Sequence, residues 1–149
     1  MKKSILTIIT VVVLGLGNLF ANSTENVSAK ALKQFEKEFV HATNANWEVN
    51  KNYYKVTFEN VGQMITVYYA GDGTKLATSR NIVSTQLPIK LQVDLKKIQK
   101  ENWISDLFEF YSEEESGYYI TLENADEKLI YRSLDGSGWE LFSKQSKKD

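Results

Sequence analysis

The chain carries one pattern twice. Residues 53–73 read YYKVTFENVGQMITVYYAGDG, and residues 118–136 read YYITLENADEKLIYRSLDG. Placed side by side, TFEN (57–60) lies on TLEN (121–124), and Asp72-Gly73 lies on Asp135-Gly136. Each block alternates apolar and polar residues and closes on a dipeptide that suits tight hairpins, so each predicts antiparallel strands. A helical pattern precedes each block, and the period is about 64 residues. One copy of that length buries too little apolar surface to be comfortable alone, so a second copy is expected to supply the missing packing surface.

The first copy opens at Ser28, a favourable N-cap, after which Leu32, Phe35 and Phe39 recur three and four apart. That spacing predicts a helix ending near Val40. Strands are expected over residues 47–49, 53–59, 64–69 and 75–83. The second copy opens at Pro88, which fits the first turn of a helix, with Leu91, Leu95 and Ile98 on one face and an end near Asn102. Residues 108–111, 118–124, 128–134 and 139–143 read as its strands, and residues 112–117 as an acidic loop longer than its counterpart. The expected fold class is α+β. Two degenerate helix-plus-four-strand repeats, over residues 28–83 and 84–143, form an antiparallel sheet with helices packed on one face.

Residues 1–21 differ in kind. Lys2 and Lys3 precede an apolar run from Ile5 to Leu16, and Ala21 offers a small residue for cleavage, with Ala29 as a second possibility. This is the order of a secretory signal peptide, and the run is short for a membrane span. Residues 22–27 would then be a flexible N-terminus and residues 144–149 a charged tail. The expected location is periplasmic or secreted, with the membrane met only through the transient signal peptide.

Hydrophobic residues make up 42% of the chain and aromatic ones 12%, which suits a packed core rather than a disordered chain. Loss of Lys2 and Lys3 from the 18 basic residues leaves 16 against 19 acidic ones, a net charge of −3. The two signs are interspersed, which argues against a nucleic-acid partner. Cys is absent, so no disulfide staples the fold and no lipoprotein anchor is available.

Catalytic chemistry has little to stand on. With no Cys and only His41, Cys–His catalysis and His-rich metal sites are excluded. His41 reads as a solvated residue in the link between helix and strand. No phosphate-binding loop or dinucleotide fingerprint occurs. Asp72-Gly73-Thr74 and Asp135-Gly136-Ser137 each supply one carboxylate where a calcium loop needs several, and both read as hairpin turns. Glu113-Glu114-Glu115 reads as a solvated acidic loop. No enzyme activity, cofactor or metal is expected.

AKALKQFEKEF (29–39), NANWEV (44–49), YYKVTFE (53–59) and ITVYYAGDGTKL (65–76) together resemble the PepSY-like, beta-lactamase-inhibitor-like proteins secreted by Bacteroidota-type bacteria. The shared order is a helix ending in Phe, a short gap, Trp-Glu, a Tyr-led strand and a strand closing on Asp-Gly. The resemblance covers residues 28–142, more closely in the first copy. Val40-His41 stands where the family often has Pro, and the second copy offers Phe108-Glu109 in place of Trp-Glu. The resemblance implies a fold, and a protein of this kind inhibits beta-lactamase through an exposed concave sheet. No contact residue of that inhibitor can be matched to a position here.

Strand alternation sorts the side chains into two faces. Tyr54, Val56, Phe58, Ile65, Val67 and Tyr69 in the first copy, and Tyr118, Ile120, Leu122, Leu129 and Tyr131 in the second, are expected to face the helices. The opposite face carries Tyr53, Lys55, Thr57, Met64, Thr66 and Tyr68, then Tyr119, Thr121, Lys128, Ile130 and Arg132. If helices cover one side only, this second face meets water. Tyr and Arg dominate binding energy at interfaces, so Tyr53, Lys55, Met64, Tyr68, Tyr119, Ile130 and Arg132 form the expected partner-binding face. The expected function is a secreted, non-enzymatic module docking an envelope protein or peptide, an inhibitor of an envelope enzyme being one form of it. The alternative is a small-ligand or cation-binding envelope protein.

Overall fold

A computed structural model describes residues 24–147. The signal-peptide reading of residues 1–21 lies outside them. Two helices and eight antiparallel strands follow one another among the described residues, an α+β architecture. The chain divides into two compact units between Arg80 and Asn81.

In the first unit, helix α1 (Ala29–Glu38) starts where Ser28 Oγ accepts the Ala31 amide at 3.2 Å. It closes where the Phe39 amide donates to the Phe35 carbonyl at 2.9 Å. Strands β1 (Thr43–Val49), β2 (Tyr54–Asn60), β3 (Gln63–Tyr69) and β4 (Lys75–Asn81) pair in chain order as a meander. Ala31 and Phe35 press onto Trp47, Val56, Phe58, Val67 and Tyr69, with Tyr54 and Ile65 half-buried at the margin. All six strand residues assigned to the helix face therefore lie on it. Phe35 meets Trp47 and Phe58 edge-on, with centroids 5.4 and 4.9 Å apart. Such contacts contribute about 0.5–1.5 kcal/mol each beyond area burial.

The second unit repeats the plan with helix α2 (Ile89–Gln99) and strands β5 (Trp103–Ser112), β6 (Ser116–Glu123), β7 (Glu127–Ser133) and β8 (Glu140–Ser146). Leu91 and Leu95 pack on Leu107, Ile120, Leu122 and Leu129, with Tyr118 and Tyr131 half-buried beside them. Trp139 Nε1 donates to the Leu91 carbonyl at 3.1 Å and ties the approach to β8 to the helix.

Several local expectations change: β1 begins at Thr43, β4 ends at Asn81 and β8 runs to Ser146. Pro88 is the N-cap of α2 rather than part of its first turn, with ψ at 142°. Strand β5 begins at Trp103, because Trp103 and Ile104 pair with Glu123 and Leu122 ahead of a bulge between Ile104 and Asp106. The acidic loop shrinks to a three-residue turn at Glu113-Glu114-Glu115, since Ser112 and Ser116 belong to strands. Ser112 holds that turn. Its Oγ accepts from the Glu114 and Glu115 amides at 3.3 and 3.1 Å and donates to the Glu115 carbonyl at 3.0 Å.

Candidate functional site

Strand register decides what the face away from each helix carries. In the first unit Glu48 lies opposite Lys55, Thr57 opposite Thr66, and Lys55 opposite Tyr68. Lys55 Nζ donates to Glu48 Oε1 at 2.8 Å, and the two threonine hydroxyls are 3.0 Å apart. Tyr53 meets Tyr68 edge-on at 5.7 Å. Burial, then the Glu48 charge, raise the Tyr53 phenol above its ordinary value.

The second unit carries rings at the corresponding positions. Phe108 lies opposite Tyr119, and the two rings stack with an interplanar angle of 9° at 5.4 Å. Phe110 and Phe142 meet Tyr119 edge-on at 6.3 and 5.7 Å. The Tyr119 hydroxyl donates to Glu115 Oε1 at 3.0 Å, and burial, then the Glu115 charge, push this phenol up. Arg132 lies over the Phe142 ring at 5.0 Å while its Nε donates to Glu140 Oε1 at 2.6 Å.

The expected openness of this face needs correction. Tyr53, Tyr68, Tyr119 and Ile130 are each 5% exposed or less, and Thr121 is buried with them. Rings on neighbouring strands supply part of that cover, because cross-strand pairs bring them within contact distance. Accessible surface survives at Met64, 49% exposed, and at the Lys55 and Arg132 side chains, each 28% exposed. Of the seven residues expected to bind a partner, these three keep substantial surface.

The register also corrects the alignment of the repeats. Trp47 pairs with Val56 as Leu107 pairs with Ile120, so the counterparts of Trp47-Glu48 are Leu107-Phe108 rather than Phe108-Glu109.

His41 is exposed in the turn before β1. The two Asp-Gly carboxylates are taken up by their own turns. Asp72 Oδ1 accepts the Thr74 amide at 2.9 Å, and Asp135 accepts the Ser137 amide and hydroxyl at 2.9 and 2.8 Å. These hydrogen bonds hold both carboxyls below the usual range. Among the described residues, no group of three or more His, Asp or Glu is placed to hold a metal ion.

A cleft of about 340 Å³ lies at one end of the second unit, where the β5–β6 hairpin end and the β7–β8 turn approach Pro88. Glu109, Tyr111, Tyr118, Leu134 and Asp135 line it, with the Gly117 backbone alongside. Sequence reasoning had placed these residues in strands and turns. The one available signal was that Tyr111 and Leu134, both large and apolar, fall at strand ends.

No protein-family model and no curated protein matches this sequence. Solved structures do match. A BLIP-like protein from Bacteroides fragilis NCTC 9343 aligns at TM-score 0.66 and 19% identity, over 83% of this chain and 88% of that one. A DUF2874 family protein from Bacteroides uniformis ATCC 8492 aligns at 0.70 and 13% identity, over 80% and 89%. A protein provisionally placed in the periplasm of Bacteroides eggerthii DSM 20697 aligns at 0.71 and 14% identity, over 80% and 88%. The chain has the BLIP-like fold. At these identities the likeness extends to the fold alone. It agrees with the beta-lactamase-inhibitor-like resemblance read from the Trp-Glu, Tyr-led and Asp-Gly segments. It carries no contact residue onto this chain, since a BLIP-like fold fixes strand order and not surface chemistry.

Proposed function

We propose that this chain is an exported, non-enzymatic binding module that docks a protein or peptide on the sheet face of a unit that lies away from that unit's helix. The observation that supports it most is the layout of that face. In the first unit Lys55 and Met64, and in the second Arg132, remain accessible beside buried rings, and Lys55 and Arg132 are steadied by ion pairs to Glu48 and Glu140. Side chains fixed before binding lose less entropy on docking. Tyr53, Tyr68, Tyr119 and Ile130 serve this face as its packed base rather than as direct anchors. The leader-like pattern of residues 1–21 supports export, as does the provisional periplasmic placement of the Bacteroides eggerthii structure. An inhibitor of an envelope enzyme would be one form of this reading, and an enzyme assay separates it.

The test is a crosslinking pull-down from envelope extract, with a Lys55→Ala/Met64→Ala/Arg132→Ala variant beside the parent. A partner captured by the parent and lost by the variant supports the reading. Equal capture by both removes this face from the account. A second reading, a small-ligand or cation-binding protein, is favoured by the cleft beside Pro88.

A further inference from the structure

The two helices present different sides to solvent. Successive helical positions turn by about 100°, so Lys30, Lys33 and Lys37 run down α1 opposite Ala31, Leu32 and Phe35, which face its core. All three lysines are exposed. That is the usual outward face of a solvated helix.

On α2 the outward line is Ile89, Val93 and Lys96, continued by Lys100 at the C-cap. These positions stand four, three and four apart, opposite Leu91, Leu95 and Ile98, which face the core of the second unit. Ile89 is 81% exposed and Val93 56%. Both are β-branched, so each loses rotamer freedom in a helix that a lysine would keep. Little burial within their own unit offsets that cost. Single exposed aliphatic residues are ordinary, but these two stack one turn apart on one line.

Charge follows the same line. Lys90 and Lys97 flank it, and each pairs with Asp94 at 2.7 Å. Lys96 and Lys100, on the line itself, are exposed and form no ion pair among the described residues. Glu101 follows beyond the helix end and is exposed. The stripe is thus an aliphatic half followed by a half with uncommitted positive charge.

An anionic lipid surface complements this stripe better than a protein does. It holds no Trp, Tyr or Arg, the anchors that dominate protein interfaces, and lysine is depleted from the centres of such interfaces. At a lipid surface aliphatic groups enter the boundary between headgroups and acyl chains. Lysine lays its stem along apolar surface and carries its ammonium to phosphate. Each lysine near an anionic leaflet strengthens binding about fivefold.

We infer that the outward stripe of α2 seats on an anionic phospholipid surface, with Ile89 and Val93 entering the headgroup–acyl boundary and Lys96 and Lys100 reaching the phosphates. The stripe lies on the helix side of the second unit, and Arg132 on the opposite side of that unit's sheet. The inference therefore stands apart from the docking reading above.

The test is co-sedimentation of the chain from Asn22, which retains both units, with phosphatidylcholine vesicles carrying about 30% phosphatidylglycerol, and with phosphatidylcholine alone. The parent is expected to pellet with the anionic vesicles and to be released by about 0.5 M NaCl. Lys96→Gln/Lys100→Gln is expected to weaken binding about tenfold or more, and Ile89→Gln/Val93→Gln several-fold. Glutamine is a good helix former, so these outward substitutions should leave the fold in place. Lys55→Ala/Met64→Ala/Arg132→Ala removes as much positive charge elsewhere and should bind within about twofold of the parent. The chain has no Cys, so Val93→Cys accepts a single nitrobenzoxadiazole dye, whose emission should move to the blue on anionic vesicles only. This readout does not depend on either glutamine variant. Binding indifferent to phosphatidylglycerol, an equal loss in the docking-face variant, or a dye that stays in water would each overturn the inference. So would failure of the parent to bind, which would assign the stripe to an acidic protein surface instead.

Discussion

At one point of the sheet the first unit sets Glu48 against Lys55, and at the same point the second sets Phe108 against Tyr119. The difference runs through both units. The first keeps Phe35, Phe39, Trp47, Phe58 and Tyr69 under its helix, and sets polar pairs beside the Tyr53–Tyr68 ring contact on the opposite face. The second packs leucine and isoleucine under its helix, with Tyr118, Tyr131 and Trp139 at the margin, and gathers Phe108, Phe110, Tyr119 and Phe142 on the opposite face. One strand plan thus supports two distributions of aromatic mass, because the fold depends on alternation and volume rather than on particular side chains. The first unit has a dry inner face and a mixed outer one. The second gathers a packed cluster of rings on its outer face, with Arg132 partly exposed at its edge.

Substitutions can sharpen or break that contrast. Gly117→Ala is expected to cost the most. Its Cβ would overlap the Ser133 carbonyl oxygen, a backbone atom that cannot swing aside. We expect a loss of about 2–3 kcal/mol in urea unfolding, from overpacking. Its counterpart in the first unit is Tyr53, so only the second unit relies on this close approach.

The two turn glycines come next. Gly73 and Gly136 have φ of +89° and +72°, so alanine is strained at both. Only Gly73 also faces backbone at close range, so Gly73→Ala should cost about 2 kcal/mol and Gly136→Ala about 1. Equal losses would mean that the second turn packs as closely as the first.

Val61 is smaller in effect and opposite in sign. It is a β-branched residue at φ +51° in a two-residue hairpin loop, exposed and without packing to reward the strain. Val61→Asn should raise stability by about 0.5 kcal/mol, read as a later urea midpoint.

Asp106 supplies the smallest, pH-dependent term. Burial raises its carboxyl, against the opposing Leu107 amide and Asn81 side chain, so the folded state favours the protonated form. That contribution is present below the ordinary carboxylate range and is lost as pH rises through the folded value. Asp106→Asn cannot ionise and should therefore stabilise the protein at neutral pH. The gain should fade below about pH 4, where the parent is protonated too. A gain constant across the titration would rule out ionisation as its cause.

Much of this was legible in the chain. Period-two alternation put all eleven chosen strand residues on the helix side, and Ser28 marked the start of α1. What alternation cannot say is whether the opposite face is wet. YYKVTFE alternates cleanly, whereas Leu107-Phe108-Glu109-Phe110 and Tyr119-Ile120-Thr121-Leu122 place apolar groups on both faces, a pattern of strands buried on both sides. Read that way, the second copy already announced its second layer of rings. The cleft was not legible, because it depends on how far the Gly136 turn stands from Pro88. That separation is set by packing and not by composition.

The outer face of the second unit is a core of rings, whereas that of the first is mixed, with buried Tyr53 and Tyr68 beside the partly exposed Lys55–Glu48 pair. The direct measurement is a pair of swaps, followed by urea unfolding at neutral pH. Phe108→Glu with Tyr119→Lys moves the first unit's ion pair into the second, and Glu48→Phe with Lys55→Tyr does the reverse. We predict a loss above about 4 kcal/mol for the first swap, since it buries charges among rings. The reverse swap should stay within about 1 kcal/mol of the parent, because it replaces a partly exposed ion pair. Losses of similar size for the two would contradict the account.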